Sequence, residues 1–428
     1  VALEHDGAHR RGDLIMKTAF RVRGLLLALG LQLASAGASA ATIKVAHIDP
    51  LSGPFALVGE SASRMLQASV DEINARGGVL GGDKFELVHF DSKSSPQEAV
   101  LILKQIIDSD IRFVSMYSGS HIAHALIEAI NKHNSRNPEK SVILLNISAQ
   151  DPPLTNEKCS FWHFRWEPHT DMRVNLLTDY LVKLKGTPKV YLINQDYAFG
   201  QAISRAGKEM LAAKRPDIKV VGDDLHPLGK VKDFAPYIAK IKASGADAVI
   251  TGNWGPDLSL LVKAGKDAGL DVVYYTLNAN NAGVPGSIGK SGENHIRQVM
   301  AWHPNIAENK LEAFANTFKA RYKEDMWLNL PKLSMDMLAK AIDTARSTDP
   351  VKVAKALHGM KFQGDTGEVW MRPDDHQLIG PQYIATFTKA GGPVKYDSEG
   401  TGFGWRTDVR IEAKDVALPT TCKMEVPK

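Results

Sequence analysis

Cysteine is scarce in this chain: two residues in 428, at Cys159 and Cys422. That count excludes a scaffold built on many disulfides. An excess of charge of either sign is also missing, with 52 Lys and Arg against 48 Asp and Glu and a formal charge of +4. Such a balance leaves no electrostatic footprint for nucleic acid or an anionic membrane surface. Catalytic signatures are lacking too. No G-x-S-x-G elbow and no H-E-x-x-H pair occurs. The run Gly77 to Gly82 does not spell G-x-G-x-x-G, and Gly400, Gly402 and Gly404 come too late to open a strand-to-helix unit. These absences remove a nucleophile-elbow hydrolase, a zinc peptidase and a dinucleotide enzyme. His121 and His124 share a helical face but lack the further ligands a metal needs, so they read as solvated or capping histidines.

What is present begins with an export signal. Lys17, Arg21 and Arg23 precede the short apolar run Gly24–Leu33, and Ala38-Ser39-Ala40 is a small-residue cleavage site. The run is about half of the ~20 residues needed to span a bilayer. Met16 reads as the true start, with Val1 to Ile15 upstream. Removing residues 1–40 lowers the formal charge by two from +4. The expected product starts near Ala41, is soluble, and carries no cysteine near its new end for acyl anchoring. In an oxidising compartment Cys159 and Cys422 are expected to form one disulfide that ties the C-terminus back. The alternative is two unpaired buried thiols.

Apolar strand-like runs alternate with amphipathic helices, which predicts an α/β fold with parallel sheets flanked by helices. The run Ile43–Ile48 leads into the turn Ser52-Gly53-Pro54 and a helix whose stripe is Ala62, Met65, Leu66, Val70 and Ile73. A second helix, opened by Pro96, carries Ala99, Val100, Leu103, Ile106 and Ile107. The runs Phe85–Phe90, Ile111–Tyr117 and Val142–Ile147 read as strands covered on both faces. A second series has strands at Val190–Asn194, Ile218–Val221, Ala248–Thr251 and Val272–Thr276, with helices between. Helices then follow at Ala307–Lys323, Met335–Arg346 and Val351–Leu357, before strands at Phe362–Met371 and Tyr383–Thr388. About 390 residues exceed what one core usually serves, so two lobes are expected. Lobe 1 is expected to hold 41–165 plus 303–362, lobe 2 to hold 166–302 plus 363–410, and 411–428 to form a tail. Three crossings near Phe164–Pro168, Met300–Pro304 and Phe362–Thr366 then make a hinge.

Several short motifs occur in order: Ile43-Lys44-Val45, Leu51-Ser52-Gly53-Pro54 with Gly59, and Ile73-Asn74-Ala75-Arg76-Gly77-Gly78. Asp91, Pro96-Gln97-Glu98-Ala99-Val100, Asp196-Tyr197-Ala198-Phe199-Gly200, Lys232-Asp233-Phe234 and Gly245-Ala246-Asp247 follow. In this the sequence resembles the periplasmic solute-binding proteins of the leucine/isoleucine/valine-binding family, which serve ABC importers. The resemblance covers nearly all of the exported chain, most densely between 43 and 104. It implies the two-lobed type I periplasmic-binding-protein fold, a small-molecule ligand in the cleft, no catalysis, no cofactor, no membrane insertion, and permease subunits as partners of a monomer.

The resemblance also selects residues. Tyr117-Ser118-Gly119-Ser120 is a strand end feeding a helix, and its free N–H groups suit a carboxylate. In the family the serine and backbone amides there hold the ligand's carboxylate. Ala149 and Gln150 fall where further polar contacts come, although a hydroxyl residue is more usual at Gln150. Phe199 matches an aromatic that covers the ligand, and Trp254 lies near another. Val58 stands where a larger side chain is common, leaving room that Trp302 is a candidate to fill. Amino-acid binders hold the ligand's ammonium with a carboxylate after the strand matching Val272–Thr276. Here the loop reads Leu277-Asn278-Ala279-Asn280-Asn281, with no acid. The expected ligand is therefore a branched-chain or other amino acid, or an aromatic or aliphatic acid or amide without an ammonium; Asp257 and Glu167 are candidate substitutes for the missing acid. A ligand-sensing module for a signalling partner is the alternative function.

Overall fold

Strand β1 (Thr42–Asp49) has its last five residues buried, and it lies between β2 (Lys84–Asp91) and β3 (Phe113–Met116). The computed structural model describes residues 1, 40–184, 186 and 189–427. Lys17, Arg21, Arg23, Gly24–Leu33 and Ala38-Ser39 lie outside those residues. With β4 (Ile143–Asn146) and β5 (His163–Arg165) these strands form a wholly parallel sheet of order β2-β1-β3-β4-β5. Its helices are α1 (Ala56–Ala75), α2 (Pro96–Asp108) and α3 (Ser120–Arg136). Helix α2 starts where Ser95 accepts the Glu98 N–H and Pro96 supplies the first turn.

Two details differ from the sequence expectation. Strands β3 and β4 are buried throughout, but β2 is the sheet edge and largely half-exposed. An apolar run therefore does not by itself place a strand centrally. On α2 the buried face is Ala99, Ile102, Leu103 and Ile106, while Val100 turns outward. The stripe is rotated because the i, i+3, i+4, i+7 set starting at Ala99 takes in Ile102.

The second sheet has seven strands in the order β15-β14-β10-β9-β8-β6-β7. Its parallel members are β6 (Lys189–Gln195), β7 (Lys219–His226), β8 (Ala248–Thr251), β9 (Val273–Thr276) and β10 (Ile296–Met300). The antiparallel pair β14 (Gln382–Lys389) and β15 (Phe403–Ile411) completes one side. Helices α4 (Thr170–Val182), α5 (Ala198–Lys214), α6 (Ala235–Ser244), α7 (Pro256–Asp267) and the short α8 (Val284–Ile288) belong to this half of the chain. Helix α4 escaped the periodicity reading because it is buried on several sides, including Thr170, Met172, Arg173, Val174 and Leu177.

The chain runs between the two sheets after β5, after β10 and again before β14. After β10 it makes α9 (Glu312–Tyr322), α10 (Leu330–Ala345) and α11 (Pro350–Leu357). Helix α10 packs along α1, Trp327 Nε1 donates to Ser61 Oγ at 2.9 Å, and Arg64 forks onto Glu324 with both contacts at 2.9 Å. The third passage carries its own small sheet of β11 (Lys361–Gly364), β12 (Gly367–Met371) and β13 (Leu378–Ile379). A bridge between Arg165 and Gln377 joins its end to β5. From Thr42 onward all of this belongs to one compact unit. Cys159 and Cys422 are bonded, with Cα atoms 5.7 Å apart, so the tail beyond α12 (Ala413–Val416) is fixed to the loop before β5. Among the described residues no helix is long and apolar enough to cross a membrane.

Candidate functional site

Parallel strands collect their loops at their carboxyl ends, and in open α/β sheets ligands bind there. The two sheets turn those ends toward one another around a small cavity. From the first sheet come Tyr117, Ser118, Gly119 and Ser120 after β3, and Ser148, Ala149 and Gln150 after β4. The second sheet contributes Tyr197 and Phe199 after β6, Trp254 after β8, and Asn278 and Asn281 after β9. Eight of the nine residues selected from sequence thus line one space. Val58 does not: it is buried on α1 near Gly255, where an added Cβ would come within 3.7 Å of it. Tyr197 and Ser148 were not selected, although each adjoins a segment that was.

The first wall is built from backbone. Helix α3 has no side-chain cap, and Gly119 precedes it at φ 96°. A Cβ at Gly119 would meet Ile122 Cδ1 at 3.0 Å in a left-handed conformation that other residues rarely adopt, so glycine is needed here. The Ile122 and Ala123 N–H groups fold back onto Gly119 O at 3.0 Å. The first-turn N–H groups at Ser120 and His121 form the positive end of the helix dipole beside the cavity. Ser118 plays a different part from the one expected. Its N–H and its hydroxyl both donate to Asp49 Oδ1, at 3.2 and 2.5 Å, so both are taken by the protein's own carboxylate and not turned to a ligand's. Gln150 spends its Oε1 on Arg173 at 2.8 Å.

The second wall is mostly rings. Trp254 Nε1 donates to Tyr197 Oη at 3.0 Å, which fixes the two rings together. Trp254 also stacks on Phe55 from the other side of the cleft, centroids 3.9 Å apart. Gly255, at φ 55°, leaves space for that stack, since a Cβ there would lie 3.2 Å from Phe55 Cδ1. The edge of His121 meets the Tyr197 ring at 5.3 Å. Asn281 Nδ2 donates to Tyr117 Oη at 3.4 Å, and Asn280 Nδ2 to Trp327 O at 2.8 Å. The two walls are therefore in contact, in a closed arrangement. Burial pushes the Tyr117 and Tyr197 phenols well up, so both act as neutral hydrogen-bonding groups.

Two buried arginines hold the walls in place, and neither was selected from sequence. Arg173 on α4 binds Gln150 Oε1 on one wall and Leu277 O on the other at 2.6 Å, besides Val299 O. It also lies 3.4 Å from Glu167. Arg165 at the end of β5 reaches Asp151 O and Gln377 Oε1, both at 2.7 Å, and burial pulls its guanidinium down to about 9. The signal was available: arginine between Phe164 and Trp166 on an apolar strand has to be partnered. Glu167 and Asp257 do not replace the missing acid. Glu167 faces Arg173, and burial raises its carboxyl. Asp257 accepts from Gln195 Nε2 at 2.8 Å and from the Gly229 N–H at 2.9 Å. Trp302 is fully buried away from the cavity, with Nε1 on Asn309 Oδ1 at 3.3 Å. His124 is occupied by Asp151 at 2.5 Å and His121 by Ser94 O at 3.2 Å. Among the described residues no group of three or more His, Cys, Asp or Glu could hold a metal ion.

A second hollow lies beyond Asn280 and Trp327, lined by Glu312, Asp325 and Glu399 among others. Those carboxyls are already engaged. Glu312 pairs with Lys395 at 2.9 Å, Asp325 with Lys319 at 2.6 Å, and Glu399 takes the N–H groups of Gly283 and Gly286 at 2.6 and 2.5 Å. The strand-end cavity is the stronger candidate.

Comparison with known proteins bears on the family and the fold. The Leu/Ile/Val-binding protein homolog 4 of Brucella melitensis is 31% identical over 404 residues, covering 92% of this chain and 95% of that protein. A crystal structure of the leucine-, isoleucine-, valine-, threonine- and alanine-binding protein from Brucella ovis, in a closed conformation, superposes with a TM-score of 0.79 at 28% identity, covering 91% of this chain and 100% of that one. The fold is also shared with an ABC-transporter solute-binding protein from Rhodopseudomonas palustris in complex with p-hydroxybenzoic acid (TM-score 0.74, 24% identity, 87% of this chain and 97% of that one). The family model described as periplasmic binding protein matches residues 42–393, and the chain belongs to that family.

Proposed function

We propose that this protein is the solute-binding component of an ABC importer, exported to the periplasm and handing a small carboxylate-bearing solute to a permease. One observation carries the reading: the uncapped start of α3 lies at a cavity whose opposite wall is aromatic. N–H groups at a helix start favour an anion, and rings bury apolar area at low entropic cost. The ligand's carboxylate sits against Gly119 and Ser120, and its carbon skeleton lies against Phe199, Trp254 and Tyr197. Because Phe199 and Trp254 belong to the other half, these contacts are complete only when the halves meet, so ligand shifts the population toward closure. The names of the relatives support a small solute: leucine, isoleucine, valine, threonine and alanine in one and p-hydroxybenzoic acid in another.

A thermal-shift screen of the purified protein against amino acids, amides and aromatic or aliphatic acids tests the reading. Ligand at 100-fold above its dissociation constant adds about 2.7 kcal/mol. At least one small acid is expected to raise the melting temperature by a few degrees. A screen in which only ligands without a carboxylate respond contradicts it.

A further inference from the structure

At the edge of the cleft the first half projects a short knuckle into the second. The turn Ser52-Gly53-Pro54 ends in Phe55, which is buried although it precedes α1 in a loop. The knuckle is held firmly on its own side. The Leu51 N–H donates to Asp91 Oδ1 at 2.9 Å, and the Val58 and Gly59 N–H groups fold onto Phe55 O at 3.1 Å. Gly59 lets α1 lie directly on the preceding strand end, since a Cβ there would come within 2.0 Å of Pro50 O.

The socket that receives the knuckle is made by the loops after β7, β8 and β9, and each presents a glycine. A Cβ at Gly229 would lie 2.8 Å from Phe55 Cε2, one at Gly255 3.2 Å from Phe55 Cδ1, and one at Gly283 2.4 Å from Leu57 Cδ2. Gly269 and Gly289, in the same half, have nothing within 4 Å of that position. The close fit is therefore particular to the socket and not general to turn glycines. Asp257, which does not line the ligand cavity, shapes the socket. Its Oδ2 takes the Gly229 N–H at 2.9 Å and Gln195 Nε2 at 2.8 Å, which joins the β7 loop to the start of α7 beside Gly255. The Phe55 ring stacks on Trp254, and of these two rings Trp254 lines the cavity.

We infer that Phe55 is a latch: a positioning residue that touches no solute, seats in the glycine socket when the halves meet, and sets how long the closed state lasts. The inference rests on the ligand-driven closure proposed above. Opening the cleft returns the ring to water and closing removes it, a contribution that does not depend on what lies inside. The latch therefore favours closure by the same factor for every solute. It acts after encounter, because the first-wall donors are in place before the halves meet. Association is left alone and dissociation, which has to open the cleft, is slowed.

The test is stopped-flow binding of the purified protein to leucine and to p-hydroxybenzoate. Phe55→Ala is expected to raise the dissociation rate about tenfold or more, by the same factor for each acid that binds, with the association rate within about twofold of wild type. Gly229→Ala is expected to raise it about fivefold or more, because the added methyl blocks the ring. In the Phe55→Ala background the same change is expected to add less than about twofold, since nothing is left to block. Backbone strain of alanine at Gly229 is the same open or closed and cancels from the rates. An unchanged dissociation rate in Phe55→Ala overturns the inference and leaves the carboxylate reading standing. So does a factor that differs between the two acids by more than about threefold, or a Gly229→Ala effect that persists undiminished without the ring. If neither acid binds, the latch is read without solute, from spin labels at the exposed positions Glu60→Cys and Lys290→Cys, one on each half. A longer mean distance between the labels in Phe55→Ala than with Phe55 present supports the latch, and identical distance distributions overturn it.

Discussion

The two walls of the cavity are made differently. The first offers short side chains and backbone, with its charged groups one layer back: Asp49 behind Ser118, and Arg173 behind Gln150. The second offers large rings, held by a Trp254–Tyr197 hydrogen bond and a stack on Phe55. Backbone donors are fixed in position whether or not the halves meet. The ring lid is completed by contacts across the cleft. On the proposed function, the difference teaches that the first wall governs which polar groups are accepted, while the second converts binding into closure.

Arg173 is where the walls are joined, so its loss should break the comparison altogether. Arg173→Met leaves Glu167 buried without its partner and frees Gln150 Oε1 and the carbonyls of Leu277 and Val299. Denaturant unfolding should show a loss of about 3–5 kcal/mol. A change below about 1 kcal/mol would mean that the pin is dispensable.

The passages between the halves give an effect of another kind. Burial lowers His376 to about 3, with His358 adding to it, and burial lowers His303 to about 3. Unfolding returns both to about 6.5. Below that value the unfolded chain holds more protons than the folded one. Stability is therefore full above pH ~6.5 and declines as pH falls toward ~3, by up to about 1.4 kcal/mol per histidine per unit. Melting temperatures measured from pH 7 down to 4 should fall steadily, and a flat profile would contradict the assignment of neutral buried rings.

Comparing one substitution on each wall sharpens the contrast. Trp254→Ala should weaken ligand binding by about 10–100-fold, since a buried ring and its stack are lost. Ser148→Ala should cost less than about fivefold, the weight of one neutral hydrogen bond. Titration calorimetry with the best ligand found checks both, and equal losses would mean that the walls do not divide the work as described.

Much of the fold was legible in the sequence, because parallel strands and amphipathic helices impose their periods on the letters. Tyr117 to Ser120 could be read because a strand end meeting an uncapped helix is a local pattern. Phe199, Trp254 and Asn278 were reached through resemblance, and the structure brings them to the same cavity. Helix α4 was not legible, since burial on several sides erases the stripe. Arg173 and Arg165 were missed for a related reason. Their partners lie as far as 126 and 212 residues away, so a local pattern can show that Arg165 needs a partner but not which groups either arginine meets. The Ser118–Asp49 contact was not legible, because Asp49 comes from another strand, 69 residues earlier.

Hydrogen–deuterium exchange with and without a bound acid tests the central claim most directly. The claim is that one solute touches both walls at once. The amides of Gly119 to Ile122 and those of Tyr197 to Phe199 and Asn253 to Gly255 should all gain protection together. Protection confined to one wall, or appearing only around the hollow near Glu312 and Glu399, would contradict it.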